Sequence, residues 1–208
     1  MPDFNSLFSF AIASVALLVI PGPAVTYIVN RSVANGRTIG LAAVCGIELG
    51  TFMHVLAATV GLSAILATSQ DAFNVVKYLG ASYLVLVGLR TLSRQPETIT
   101  SSVNAMTRTQ AFRQGFVINT LNPKIALFFL SFLPQFIDPD KSSNALQSLV
   151  LGAVFVACGF ITDGIYALTA SSLRESLVKG KALPFIQRYV AGVVFVLLGI
   201  VAGSAKIS

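Results

Sequence analysis

The stretch FNSLFSFAIASVALLVIPGPAVTYIVN, residues 4–30, holds no charged side chain and is interrupted once, at Pro21-Gly22-Pro23. A helix crosses the bilayer core with about 17 to 25 apolar residues, so this run can span a membrane. Working outward, Leu49 to Gln70, Ser142 to Thr162 and Tyr189 to Ala205 are also free of charge. Of all 208 residues, 55% are hydrophobic and 11% charged. A soluble domain carries about a quarter charged residues, so most of this chain belongs in lipid. The runs are continuously apolar rather than alternating, which excludes a β-barrel. Too little chain remains for a soluble enzyme, ATPase or nucleic-acid module, and no Gly-x-x-x-x-Gly-Lys-Ser/Thr phosphate loop occurs. Met1 to Phe10 carries Asp3 and no Lys or Arg, which disfavours a cleaved signal peptide.

The charge pattern sets an expected topology. We expect an all-α integral membrane protein with helices at about 6–30, 39–67, 73–92, 115–137, 145–173 and 183–205. The loops bearing Arg31 and Arg37, then Arg90, Arg94, Arg108 and Arg113, then Arg174, Lys179, Lys181 and Arg188 hold ten of the fourteen basic residues. Basic loops stay cytoplasmic, so both termini are expected outside. The segment from Gln95 to Gln110 is the one stretch expected to form a long loop. Lys77-Tyr78-Leu79-Gly80-Ala81 and Leu86-Val87-Gly88 line up without gaps on Arg188-Tyr189-Val190-Ala191-Gly192 and Leu197-Leu198-Gly199. That match, with prolines in the first and fourth helices, divides a single transmembrane domain, residues 1–208, into two repeats, 1–95 and 111–208. Three helices per repeat is an odd number, so the second repeat runs inverted. Inverted repeats with broken helices meeting near the midplane are the architecture of secondary transporters.

The breaks and the buried ionisable groups mark the candidate site. Pro21 and Pro23 lack backbone N–H groups and clash with the carbonyls of Leu17 and Val19, while Gly22 adds backbone freedom. Pro123, between Asn122 and Lys124, does the same to Asn119. Unsatisfied backbone costs several kcal/mol per group in hydrocarbon, so such breaks persist where protein or a watered cavity satisfies them. Lys124 opposes insertion by about 3 kcal/mol, but the apolar run Ile125 to Leu133 outweighs it at roughly 0.5 kcal/mol per residue. Glu48 and Asp163 lie just beyond Cys45-Gly46 and Cys158-Gly159 in the second and fifth helices. Each is a candidate partner of Lys124 or a proton carrier, or else a static ion-pair member. His54 extends the ladder Ala42, Gly46, Gly50, whose small residues suit close helix contact, and it is either a proton relay or a satisfied hydrogen-bonder. Gly199 and Gly203 form a similar ladder, either packed in the core or serving a homodimer.

An ordered set of motifs carries a family resemblance. It comprises Pro21-Gly22-Pro23; Gly46, Gly50, His54 and Gly61-Leu62-Ser63; Gly80-Ala81-Ser82-Tyr83-Leu84 with Gly88; Phe112, Gly115, Asn119 and Asn122-Pro123-Lys124; and Phe132-Leu133-Pro134-Gln135-Phe136. Together these resemble the LysE/RhtB family of amino-acid exporters. The resemblance implies a six-helix protein of the bacterial inner (plasma) membrane that exports amino acids or related small metabolites. The Asn-Pro-Lys form is more similar to the homoserine, threonine and neutral amino-acid branch than to the lysine branch. Glu48 departs from the family pattern, which leaves that position uncharged.

The residues fit that chemistry by themselves. Lys124 and half-helix N-termini suit a substrate carboxylate, and freed carbonyls near Leu17 and Val19, with Glu48 or Asp163, suit its ammonium. The candidate substrate site is therefore Pro21, Gly22, Pro23, Asn122, Pro123 and Lys124, with Glu48, Asp163 and His54 as candidates for coupling to proton entry, and no metal or cofactor is expected. Two alternatives use other chemistry. A metal-ion exporter would need a denser ligand set than one His and two carboxylates in separate helices. A thiol-disulfide electron carrier of the CcdA type would use Cys45 and Cys158, but neither lies at a helix break, and buried Cys in apolar surroundings is inert.

Overall fold

Asp3 opens the first helix by accepting a hydrogen bond from the Ser6 backbone N–H at 2.7 Å. A side-chain oxygen at this position satisfies one of the four N–H groups that every helix leaves unpaired. The computed structural model describes residues 2–68, 70–93, 105–138 and 143–172, with isolated positions 193, 196, 197 and 200. Among these residues lie α1 (Phe4–Leu18), α2 (Pro23–Asn35), α3 (Arg37–Thr68), α4 (Gln70–Ser93), α5 (Arg108–Thr120), α6 (Pro123–Phe132) and α7 (Asn144–Ser172), with a 3-10 turn at Leu133–Phe136. No strand occurs among them.

Both expected breaks are present. α1 and α2 meet at 60°, and α5 and α6 at 47°. The proline at each break begins the new helix: Pro23 and Pro123 each stand at the start of the following helix, where the missing N–H has no intrahelical partner to lose. α7 and α3 from Arg37 to Gly61 are each long and apolar enough to cross a membrane, and each bent pair passes the same measure as one span. α4 covers the expected third span. The expected sixth span, apart from the helical positions Val193, Val196, Leu197 and Ile200, lies outside the described residues, as do its match to the third helix, the Gly199 and Gly203 ladder, and most of the expected loop.

Two boundaries differ from the expected ones for local reasons. The fourth span starts earlier, at Arg108, because Thr107 and Gln110 form a reciprocal capping box. The first span runs on to Asn35, where Gly36, at φ 83° and ψ 172°, turns the chain out of the helix in a conformation open to glycine.

α3 is the central element, packed along α5 and α7. A Cβ at Gly46 would collide with the carbonyl of Phe112, and one at Gly50 would lie 2.9 Å from the Thr120 nitrogen. The small-residue face of α3 is thus a close contact with α5, as its spacing predicts. The two larger of three apolar clusters among the described residues flank the breaks. One joins Phe10, Phe128, Phe129, Phe132 and Phe155 with Val55 and Leu151. The other joins Tyr27, Ile28, Val44, Ile47, Ala111 and Ala167. Along the chain, Glu48 and Thr51 on α3, Asn119, Asn122 and Lys124 at the second break, and Thr162 and Asp163 on α7 fall between the members of these two clusters.

Candidate functional site

The two breaks face one another. Lys124, one residue into α6, is buried, and its Nζ donates to the carbonyl of Ile20 in the first break at 2.8 Å. Its stem passes over Gly22, whose Cβ, if present, would lie 3.6 Å from Lys124 Cδ. Tyr166 on α7 donates its hydroxyl to the carbonyl of Val19 at 2.7 Å. Leu17 accepts the Ile20 N–H at 3.2 Å. The carbonyls of Leu17 and Val19, read from the sequence as free acceptors for an ammonium, are therefore engaged within the protein. Proline frees them, and a backbone turn and a tyrosine take them up.

The second break is tied in the same way. His54 Nε2 lies 2.9 Å from the carbonyl of Asn119, the group that Pro123 cannot serve. Since a carbonyl only accepts, Nε2 carries the proton in this contact. Asn119 Nδ2 donates to Ile47 O at 2.9 Å and to Thr51 Oγ1 at 2.8 Å, fastening the end of α5 to α3. Asn122 caps α6 by accepting the Lys124 N–H at 3.1 Å, and its own amide donates to Asn119 Oδ1 at 3.2 Å.

Gly22, Thr51, Asn119, Asn122, Lys124 and Asp163 line one cavity of about 20 Å³ between the breaks. A single water needs roughly 10 to 15 Å³, so this conformation has no room for an amino acid. Glu48 and Asp163 adjoin across the α3 and α7 interface, and Asp163 also interacts with Lys124. Pro21, Gly22, Pro23, Asn122, Pro123, Lys124 and Asp163 thus gather at one place, with Glu48 behind Asp163 and His54 buttressing the second break. Sequence reading missed Tyr166 and Thr51. Tyr166 lies three residues after Asp163, on the same face of α7, and a tyrosine hydroxyl in an apolar span demands an acceptor.

The family profile described as LysE type translocator matches residues 15–205. The chain belongs to this family. Among relatives of the LysE-family chain, a leucine efflux protein of Salmonella typhimurium is 26% identical over 194 residues, covering 91% of this chain and 90% of that protein. An uncharacterized membrane protein of Vibrio cholerae is 29% identical over 172 residues, with 82% and 83% covered. One from Pseudomonas aeruginosa is 27% identical over 210 residues, with 98% and 97% covered. No solved structure matches. The chain is therefore a multi-pass membrane translocator of the LysE family rather than an enzyme.

Proposed function

We propose that this LysE-family protein exports amino acids from the cytoplasm, binding the substrate carboxylate at Lys124 between the two breaks. The carrying observation is the Lys124 to Ile20 bond: a buried ammonium on the second broken helix reaches the carbonyl of the first break at 2.8 Å, in a polar cavity built by both. A substrate carboxylate forms a charge-assisted bond with that ammonium, stronger than a neutral carbonyl provides. The N-termini of α2 and α6 add positive partial charge at the same place. Asp163, on the cavity wall, accepts the substrate ammonium. Entry requires the breaks to part, because the closed cavity is too small.

A zwitterion gains nothing from the membrane potential, so uphill export needs a coupled ion. One proton entering across about 150 mV contributes about 3.5 kcal/mol, enough for a roughly 300-fold gradient. We place the protein in the bacterial inner membrane, as six spans in two inverted repeats with both termini outside, on the distribution of Lys and Arg. The leucine efflux relative makes leucine the first substrate to test. Cells overproducing the protein, loaded with a leucine-containing peptide, should hold less intracellular leucine and release more of it than cells carrying the Lys124→Met variant. Equal release from the two would remove the site, and no excess release of any amino acid would remove the function.

A further inference from the structure

We propose that Glu48 and Asp163 hold one proton between them, and that this carboxyl pair is the site of the exporter's coupling proton. The proposal rests on the export reading above and deepens it.

Glu48 is 1% exposed and Asp163 2% exposed. Neither oxygen of Glu48, nor Oδ1 of Asp163, accepts a hydrogen bond from a described residue. Buried polar atoms are almost always paired, so three such oxygens at one contact require an explanation. The neighbouring groups do not supply a donor for the contact between the two carboxyls. From α6, Lys124 interacts with Asp163 and gives a hydrogen to Ile20 O. From α7, Tyr166 gives its hydroxyl to Val19 O. From α3, His54 engages Asn119 O, and the Thr51 hydroxyl, which gives to Ile47 O at 3.3 Å, is the one neighbouring donor among the described residues within reach of Glu48. From α2, Tyr27 gives its hydroxyl to Ala111 O at 3.1 Å. α5 presents the Asn119 amide, whose hydrogens are spent on Ile47 and Thr51.

Charge accounting leads to the same result. Lys124 balances one buried carboxylate, and a second ionised beside it would be an uncompensated charge. One proton removes that charge and provides the missing donor, since a protonated carboxyl donates O–H while its neighbour accepts. The fold makes room for this contact at Gly159, where a Cβ would lie 2.5 to 2.7 Å from the carboxyl atoms of Glu48. During transport a proton from the outer water bonds to a carboxylate oxygen of the pair, and the same oxygen releases it to cytoplasmic water. No electrons move. Glu48 lies behind Asp163 rather than on the cavity wall, so it contributes to coupling without touching the substrate.

Infrared spectroscopy of the purified protein tests the pair without any substrate. The wild type should show the carbonyl stretch of a buried protonated carboxyl at neutral pH, and Glu48→Gln should lose it. Absence of that band in the wild type overturns the proposal, whether or not any variant folds. In liposomes with labelled leucine, an imposed gradient of two pH units limits accumulation to about 100-fold for one proton per substrate. Glu48→Gln, which keeps the shape of the protonated acid, should exchange leucine between internal and external pools yet accumulate none above unity. Gly159→Ala should weaken the pH response likewise. Undiminished pH-driven accumulation in Glu48→Gln, or accumulation driven by sodium instead, overturns the proposal. Failure of the wild type to exchange leucine would count against the export reading for that substrate while leaving the infrared result to decide the proton.

Discussion

Lys124 and Ile20 are 104 positions apart, and the ammonium of one lies 2.8 Å from the carbonyl oxygen of the other. Each is part of a helix break, so this bond joins the two breaks directly. Lys124→Met should keep the length and apolar volume of the side chain while deleting the cation. Membrane insertion should improve by about 3 kcal/mol, the Ile20 carbonyl, left without this donor, should return about 1 to 3 kcal/mol of that, and Asp163, left without its cation, takes up a proton rather than stay charged. The folded protein should therefore survive while efflux falls at least about ten-fold, since each 1.4 kcal/mol of lost carboxylate binding is a factor of ten. Efflux per folded molecule checks this; wild-type rates would separate the cavity from transport.

Tyr166→Phe removes a single hydrogen bond without changing shape. Val19, 46% exposed, then loses the donor to its carbonyl in the first break, at about 1 kcal/mol. For a chain of this length each kcal/mol shifts the melting temperature by about 2 to 4 °C. Tyr166→Phe should therefore melt measurably lower in detergent, and an unchanged melting temperature would show that the Val19 carbonyl finds water instead.

What the residues disclosed, and what they did not, follows from the range of each interaction. The breaks were legible because proline's missing N–H acts on its own chain, whatever surrounds it. That this face of α3 makes a close helix contact was legible because Ala42, Gly46 and Gly50 recur at helical spacing, while its partner, α5, was not. The partners of the freed carbonyls were not legible. Which side chain reaches Val19, Ile20 or Asn119 depends on how α7, α6 and α3 are rotated against breaks far away in sequence. Pairing suffered in the same way: the sequence offered Glu48 or Asp163 to Lys124, and only the packing of α3 against α7 places Asp163 between the other two.

Glycine positions give a contrast within one helix. Gly46→Ala drives a methyl into the Phe112 carbonyl, backbone that cannot step aside without parting α3 from α5. Gly61→Ala meets nothing within 4 Å. Gly46→Ala should cost more than about 2 kcal/mol, within the overpacking range, and reduce efflux, while Gly61→Ala should be neutral or up to about 1 kcal/mol stabilising through helix propensity. Thermal denaturation of the two variants side by side decides; equal effects would mean that the α3 to α5 contact yields.

The second break makes the most discriminating prediction, because two residues serve one carbonyl. Asn119 O accepts from His54 Nε2 at 2.9 Å and from the Asn122 N–H at 3.0 Å, and the bond it would make in a continuous helix, from residue 123, is barred by proline. Restoring that N–H alone gives it no vacant acceptor, so Pro123→Ala should leave the 47° bend in place and change stability by less than about 1.5 kcal/mol. His54→Phe should destabilise by about 1 to 2 kcal/mol, because it empties one lone pair of a buried carbonyl. In the double variant the new N–H at position 123 can fill that vacancy. Stability should then recover by about 1 kcal/mol relative to the sum of the single changes, as a coupling between contacting residues. Helix continuity gained in this way should come with loss of efflux per folded molecule, since the bend is what brings Lys124 to Ile20. Additive effects in the cycle would show that His54 does not stand in for the missing backbone donor. His54→Gln, which can keep the donor, should preserve both stability and the response of transport to a pH gradient; loss of the pH response alone would make His54 a proton relay.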